Sequence, residues 1–117
     1  MKKLRNEKIF SVQEEQLDEQ RKLALAVLVQ EVTASSEVIL NEVIANYALD
    51  CTLYKLRLLD DIALGDTVVV RSRITKYNGS NLSLKVNVYK LVKGQELCTA
   101  IALFTYTLEE KIAKLAS

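Results

Sequence analysis

The chain has 117 residues, half of them hydrophobic and 26% charged, with 16 Lys and Arg against 15 Asp and Glu for a net charge of +1. That length and composition suit one globular domain with a single core, and so even a charge balance makes no field that selects nucleic acid or an anionic membrane. Histidine is absent, which removes Ser-His-Asp and Cys-His nucleophiles, histidine-bound zinc and imidazole proton shuttles from what this chain can do unaided.

The basic start, MKKLRNEK, is not followed by the apolar stretch of a signal peptide, and no run approaches the roughly 18 apolar residues of a membrane span. A cytoplasmic protein is expected. Lys8 to Gln13 (KIFSVQ) alternates and reads as a short strand. From about Gln20 the period changes to that of a helix. Ala24, Leu28, Glu31, Ser35, Val38, Ile39 and Glu42 form one stripe, widened by Leu23, Val27, Ala34 and Val43. Asp18 is the expected N-cap, the end falls near Asn46, and Val32, Thr33 and the Ser35-Ser36 pair predict a kink midway.

From Leu49 the pattern is that of strands. Cys51 to Leu59 (CTLYKLRLL) alternates, DDIALG connects, and Asp66 to Tyr77 (DTVVVRSRITKY) is a second long strand. Asn78-Gly79 marks a hairpin, because both residues tolerate the positive φ such turns need. Leu82 to Leu91 alternates cleanly, Lys93-Gly94 turns, and Glu96 to Leu108 is the most apolar strand. The tail from Glu109 reads as a short helix or a frayed end. Cys51 and Cys98 stand apart with no CxxC spacing and read as small buried hydrophobes. The order is β-α-β-β-β-β, one long helix and about five strands. Its physical solution is a curved antiparallel sheet wrapped around the helix, an α+β fold in one domain, 1–117.

This order resembles the hotdog fold, particularly acyl-CoA and acyl-carrier-protein thioesterases, from about Ile9 to Leu108. Leu64-Gly65-Asp66-Thr67-Val68 resembles the step that begins the third strand in such proteins. Gly94 to Ala100 (GQELCTA) resembles the glycine turn and final strand, and Leu28-Val29-Gln30-Glu31-Val32 is similar to a segment of the central helix. In the 4-hydroxybenzoyl-CoA thioesterase type, an acid, a glycine-histidine pair and an asparagine precede the helix. Counted back from Gln30-Glu31, the acid falls at Glu15, the glycine and histidine at Asp18 and Glu19, and the asparagine near Arg21. Only the acid is kept.

Glu15 is therefore the candidate carboxylate, as general base on water or nucleophile on the thioester carbonyl, close to helix N–H groups that could hold an oxyanion. The alternative is that Glu14, Glu15, Asp18 and Glu19 are solvated acids suited to a helix start. Glu31 and Glu42 fall on the predicted buried stripe, where an unpaired carboxylate costs several kcal/mol. Either they face the dimer cleft as an acid/base pair or ligand contact, Glu31 being the better candidate, or the stripe is assigned about one residue off and they are exposed. Tyr54, Arg71 and Arg73 are the candidate substrate contacts; in the resemblance Arg71, Arg73 and Lys76 would meet CoA phosphates, and the alternative is a solvated sheet face. The resemblance implies hydrolysis of acyl-CoA or acyl-carrier-protein thioesters with no cofactor and no metal. The other reading is a non-catalytic acyl-binding or structural module. A homodimer or homotetramer is expected, since a lone subunit leaves an edge strand open.

Overall fold

Alternation of apolar and polar residues marks three of the five strands, and the computed structural model, which describes residues 5–43 and 47–110, orders all five around one helix. The elements are β1 (Arg5–Ser11), a single 3-10 turn (Glu14–Gln16), α1 (Leu25–Val43), β2 (Tyr47–Leu58), β3 (Thr67–Tyr77), β4 (Asn81–Val92) and β5 (Gln95–Glu110). All strands join one antiparallel sheet in the order β1-β3-β4-β5-β2. The expected β-α-β-β-β-β hotdog architecture is present.

One face of the sheet holds the helix. Val68 and Val70 of β3, Leu82, Leu84, Val86 and Val88 of β4, and Ala100, Ala102 and Phe104 of β5 are buried there against Leu28, Val32, Ile39 and Leu40 of α1. The helix packs chiefly over β3, β1 and β4. The β3–β4 hairpin closes as its sequence predicts: Gly79 takes φ +87°, and the Asn78 side chain accepts hydrogen bonds from the N–H groups of Ser80 and Asn81 at 3.1 and 2.8 Å.

Four expectations need correction. The helix begins at Leu25 rather than near Gln20, and Asp18 caps a turn ahead of it, not the helix. The buried stripe is Leu28, Val32, Ser35, Ser36, Ile39 and Leu40, so the predicted stripe was rotated: Val38 is 45% exposed and Glu31 sits on the flank. Val32 and Leu40 are what the sheet selects. The helix also runs unbroken through Thr33–Ser36, because the hydroxyls that weaken it locally find partners. Ser36 donates to the Thr33 carbonyl at 2.8 Å, and Ser35 donates to Ser72 of β3 at 2.8 Å while Ser72 donates back to the Ser35 carbonyl at 3.2 Å. Asn6 of β1 also donates to the Ser35 hydroxyl, so the seam is satisfied. Finally, Cys51 is exposed on β2 rather than buried, and Cys98 is half-buried on β5. The expected helix end near Asn46 and most of the expected tail helix lie outside the described residues, although Glu109 and Glu110 belong to β5.

Candidate functional site

The connection from β1 to α1 carries most of the chemistry that the sequence suggests. Val12, 2% exposed, anchors its start: its N–H donates to the Asp66 carbonyl and its own carbonyl accepts the Gly65 N–H, at 3.0 and 3.2 Å. Gln13 then opens the 3-10 turn, its N–H donating to the Gln16 side chain at 2.8 Å. Glu14 and Glu15 stand exposed on this turn.

Beyond the turn the chain doubles back. The Asp18 carboxylate accepts hydrogen bonds from the N–H groups of Gln20 and Lys22, at 2.8 and 3.1 Å, and its own N–H donates to the Lys22 carbonyl at 2.7 Å. Arg21 adopts φ +66°, an uncommon conformation for a residue with a side chain, and pairs with Glu14 at 2.9 Å. The returning limb is fixed by Leu23 N–H donating to the Ile62 carbonyl at 2.7 Å and by a Lys22–Asp61 ion pair at 2.9 Å. The Asp61 carboxylate holds the Lys22 ammonium above its ordinary pKa. The last tie is the informative one. Ala24 N–H donates to the Gln16 carbonyl at 2.9 Å, which seats the residue following Glu15 against the residue preceding the helix. Val27 and Leu28 make the first helical bonds, to the Ala24 carbonyl, so the N–H groups of Leu25 and Ala26 lie ahead of the intrahelical ladder.

Glu31 is placed elsewhere. Its side chain is 16% exposed and receives the Lys8 ammonium on both oxygens, at 2.8 and 3.1 Å, bridging α1 to β1. The Lys8 ammonium also lies 5.6 Å from the Phe10 ring centre. The pairing removes the cost that an unpartnered carboxylate on this flank would carry. Glu31→Gln should lower stability by about 1 kcal/mol or less, because Lys8 is 53% exposed and re-solvates; urea unfolding checks this. The side chain of Glu42 lies outside the described residues.

The candidate substrate contacts do not converge. Tyr54 is on β2, opposite Phe104, with the ring centres 4.9 Å apart, and is 43% exposed on the helix-bearing side of the sheet. Arg71 and Arg73 project from β3 on the other, outer face. Arg71 is fully engaged: its Nε donates to Glu7 at 2.6 Å and its terminal nitrogens to Glu96 at 2.6 and 2.5 Å, and it lies over the Tyr89 ring at 5.3 Å. Those two acids hold its pKa above an already high ordinary value, and Arg71 in turn holds the Glu96 carboxyl below its own. This contribution is present at neutral pH and is lost as the pH falls through the depressed Glu96 pKa. Arg73 makes no ion pair among the described residues. Deeper in the core, burial pushes the Tyr106 hydroxyl up, 3.5 Å from Ser36.

Sequence reasoning missed Lys8 and the Asp18–Lys22 turn. A signal for the turn existed, since Asp accepting N–H groups two and four residues on is the same chemistry as an N-cap. What separates the two is the lack of helical period over residues 19–24.

No family model matches the chain, and no curated protein does. Solved structures do. An acyl-CoA hydrolase of Staphylococcus aureus, solved as an aspartate-to-alanine mutant, superposes with a TM-score of 0.81 at 10% identity, over 92% of this chain and 68% of that one. The smu.793 protein of Streptococcus mutans, bound to acetyl CoA, gives 0.76 at 18% over 93% and 84%. A 4-hydroxybenzoyl CoA thioesterase mutant in complex with 4-hydroxybenzoyl CoA gives 0.75 at 6% over 91% and 84%. At these identities the likeness is one of fold, and with the helix, the strand order and the β1–α1 connection described above, it makes this chain a hotdog-fold protein.

Proposed function

We propose that the protein is a thioesterase acting on acyl-CoA or acyl-carrier-protein thioesters, with Glu15 as the carboxylate. The hydrogen bond from Ala24 N–H to the Gln16 carbonyl carries this reading, because it couples the acid-bearing turn to the helix start, whose leading N–H groups are donors suited to an oxyanion. In the proposed reaction Glu15 takes a proton from water, and the water oxygen bonds to the thioester carbonyl carbon. The Leu25 and Ala26 N–H groups, with the positive end of the helix dipole behind them, stabilise the charge gathering on the carbonyl oxygen. The C–S bond then breaks, the thiolate leaves, and the proton on Glu15 returns to it. The acyl group is released as its carboxylic acid.

The Lys8 ion pair supports a structural role for Glu31, and the two bound glutamates support one for Arg71. Of the arginines linked to CoA phosphates through the resemblance, Arg73 alone keeps its donors uncommitted among the described residues. Tyr54, half-exposed beside Phe104, is the acyl-side candidate.

A second reading, an acyl-CoA-binding module without turnover, is favoured by one observation: Asp18 and Glu19 stand where the resemblance expects glycine and histidine. A panel of acyl-CoAs separates the two. Release of free thiol supports hydrolysis, whereas a raised melting temperature without thiol release establishes the binder and overturns the first reading.

Either way the working unit is proposed to be a homodimer. β2 is a 12-residue strand at the sheet edge, and Tyr54 and Leu58 on it, with Leu59 just beyond, are 43%, 57% and 45% exposed. An edge of that length and polarity normally pairs. Sedimentation velocity should give a particle of twice the 13.2 kDa chain mass or a multiple of that dimer, and a stable monomer would sink the proposal.

A further inference from the structure

The outer face of the sheet, away from α1, carries a charge pattern unlike the rest of the molecule. Strand register sets Arg5, Arg73, Lys85, Leu103 and Lys55 side by side across all five strands. Beside Leu103, two residues along β5, Ile101 pairs with Arg57 of β2. Directly opposed side chains of one face lie about 5 Å apart, so like charges here repel one another. None of Arg5, Arg73, Lys85, Lys55 or Arg57 forms an ion pair among the described residues. The neighbouring Arg71 shows what compensation would look like, with Glu7 and Glu96 both bound to it. The protein as a whole has a net charge of only +1, so the uncompensated row is a local concentration of charge that the fold assembles.

Its shape narrows the partner. β5 provides an aliphatic floor, half-buried Ile101 and Leu103 at 39% exposure. Longer basic side chains rise on both sides, Lys85 from β4 and Lys55 and Arg57 from β2. Two strand spacings separate those rims, about 10 Å, which is the diameter of an α-helix with its side chains. We propose that this trough binds an acidic amphipathic helix of a partner protein, lying along β5 with its apolar ridge on Ile101 and Leu103 and its carboxylates against the rims. A second copy of this chain does not fit, since two such faces would oppose like charges. A single-stranded nucleic acid would want aromatic platforms, and the floor is aliphatic. A membrane would want a broader apolar surface than the two side chains Ile101 and Leu103 provide.

The row shares Arg73 with the proposed CoA contact, but the trough rimmed by Lys85, Lys55 and Arg57 has no part in the proposed thioester chemistry, and its test reads binding rather than turnover. The probe is a fluorescent 20-residue helical peptide with Leu on one face and Glu flanking it, titrated into the full chain and followed by anisotropy. Saturable binding is expected, weakened at least tenfold by Lys55→Glu with Lys85→Glu and several-fold by raising salt from about 50 to 200 mM. Lys93→Glu, at the β4–β5 turn and outside the row, should change it less than twofold. Should the double variant fail to fold by circular dichroism, Arg57→Glu alone takes its place, with a loss of at least threefold expected. No binding by the wild-type chain, equal loss with Lys93→Glu, or displacement of the peptide by equimolar oligothymidine or phosphatidylserine vesicles would each overturn it.

Discussion

Glu15→Gln should lower the rate of acyl-CoA hydrolysis by about 100-fold or more, in the range that loss of a positioned general base produces. Gln keeps the size and hydrogen-bonding outline of the side chain but cannot take a proton from water. Folding should be unaffected, since Glu15 is exposed and the turn is held by groups other than its carboxylate: the Gln13–Gln16 contact, the Glu14–Arg21 pair and the Gln16–Ala24 bond. A free-thiol assay against the best acyl-CoA of a panel, run with a melting curve for each protein, gives the answer. Turnover that survives Glu15→Gln removes Glu15 from the mechanism. Glu14→Gln is the companion measurement. It releases Arg21 but leaves the proposed base in place, so a loss of the same size there would point to the shape of the turn, not to proton transfer.

The second large effect is on stability. Leu84, on the central strand β4, is 1% exposed against the helix, and Leu84→Ala should cost about 2–5 kcal/mol, with a fall in melting temperature of roughly 10–20 °C for a domain of this size. The surroundings are ill placed to collapse into the space. Phe104 and Ile74 oppose Leu84 on the two neighbouring strands, and both are tied into ladders. Leu103, one residue from Phe104 but on the outer face and 39% exposed, should lose under about 1 kcal/mol as Leu103→Ala. Equal losses at the two positions, in urea unfolding, would mean that the sheet has no distinct inner and outer faces.

Strands and hairpins were legible because alternation is a property of nearest neighbours. Leu82, Leu84, Val86 and Val88 announce their face without reference to the rest of the chain. Phase on a helix is less local. Val38 is as apolar as Val32, and only contact with β1, β3 and β4 decides that Val32 is buried and Val38 is not. The same limit hid Lys8, whose meaning depends on Glu31 arriving from 23 residues away. Asp18 shows a different limit. One hydrogen-bonding habit of Asp serves both a helix start and a tight reversal, so its presence named the chemistry but not the element. The even charge balance concealed most. It counts charges and takes no account of register, and register is what lines up Arg5, Arg73, Lys85 and Lys55. The acid at position 15 was readable as a candidate from the resemblance, while its tether through Gln16 to Ala24 is a backbone contact that no side chain encodes.

The strand order has a mechanical side. α1 follows β1, one edge of the sheet, and precedes β2, the other. The helix therefore links the two edges through the chain itself, as a string links the tips of a bow. Flattening the sheet would move both edges away from it, draw on the turn that bears Glu15, and strip the helix from its bed. Curvature and the position of the acid are in this sense one degree of freedom, and a load that bends the sheet is felt at the start of the helix.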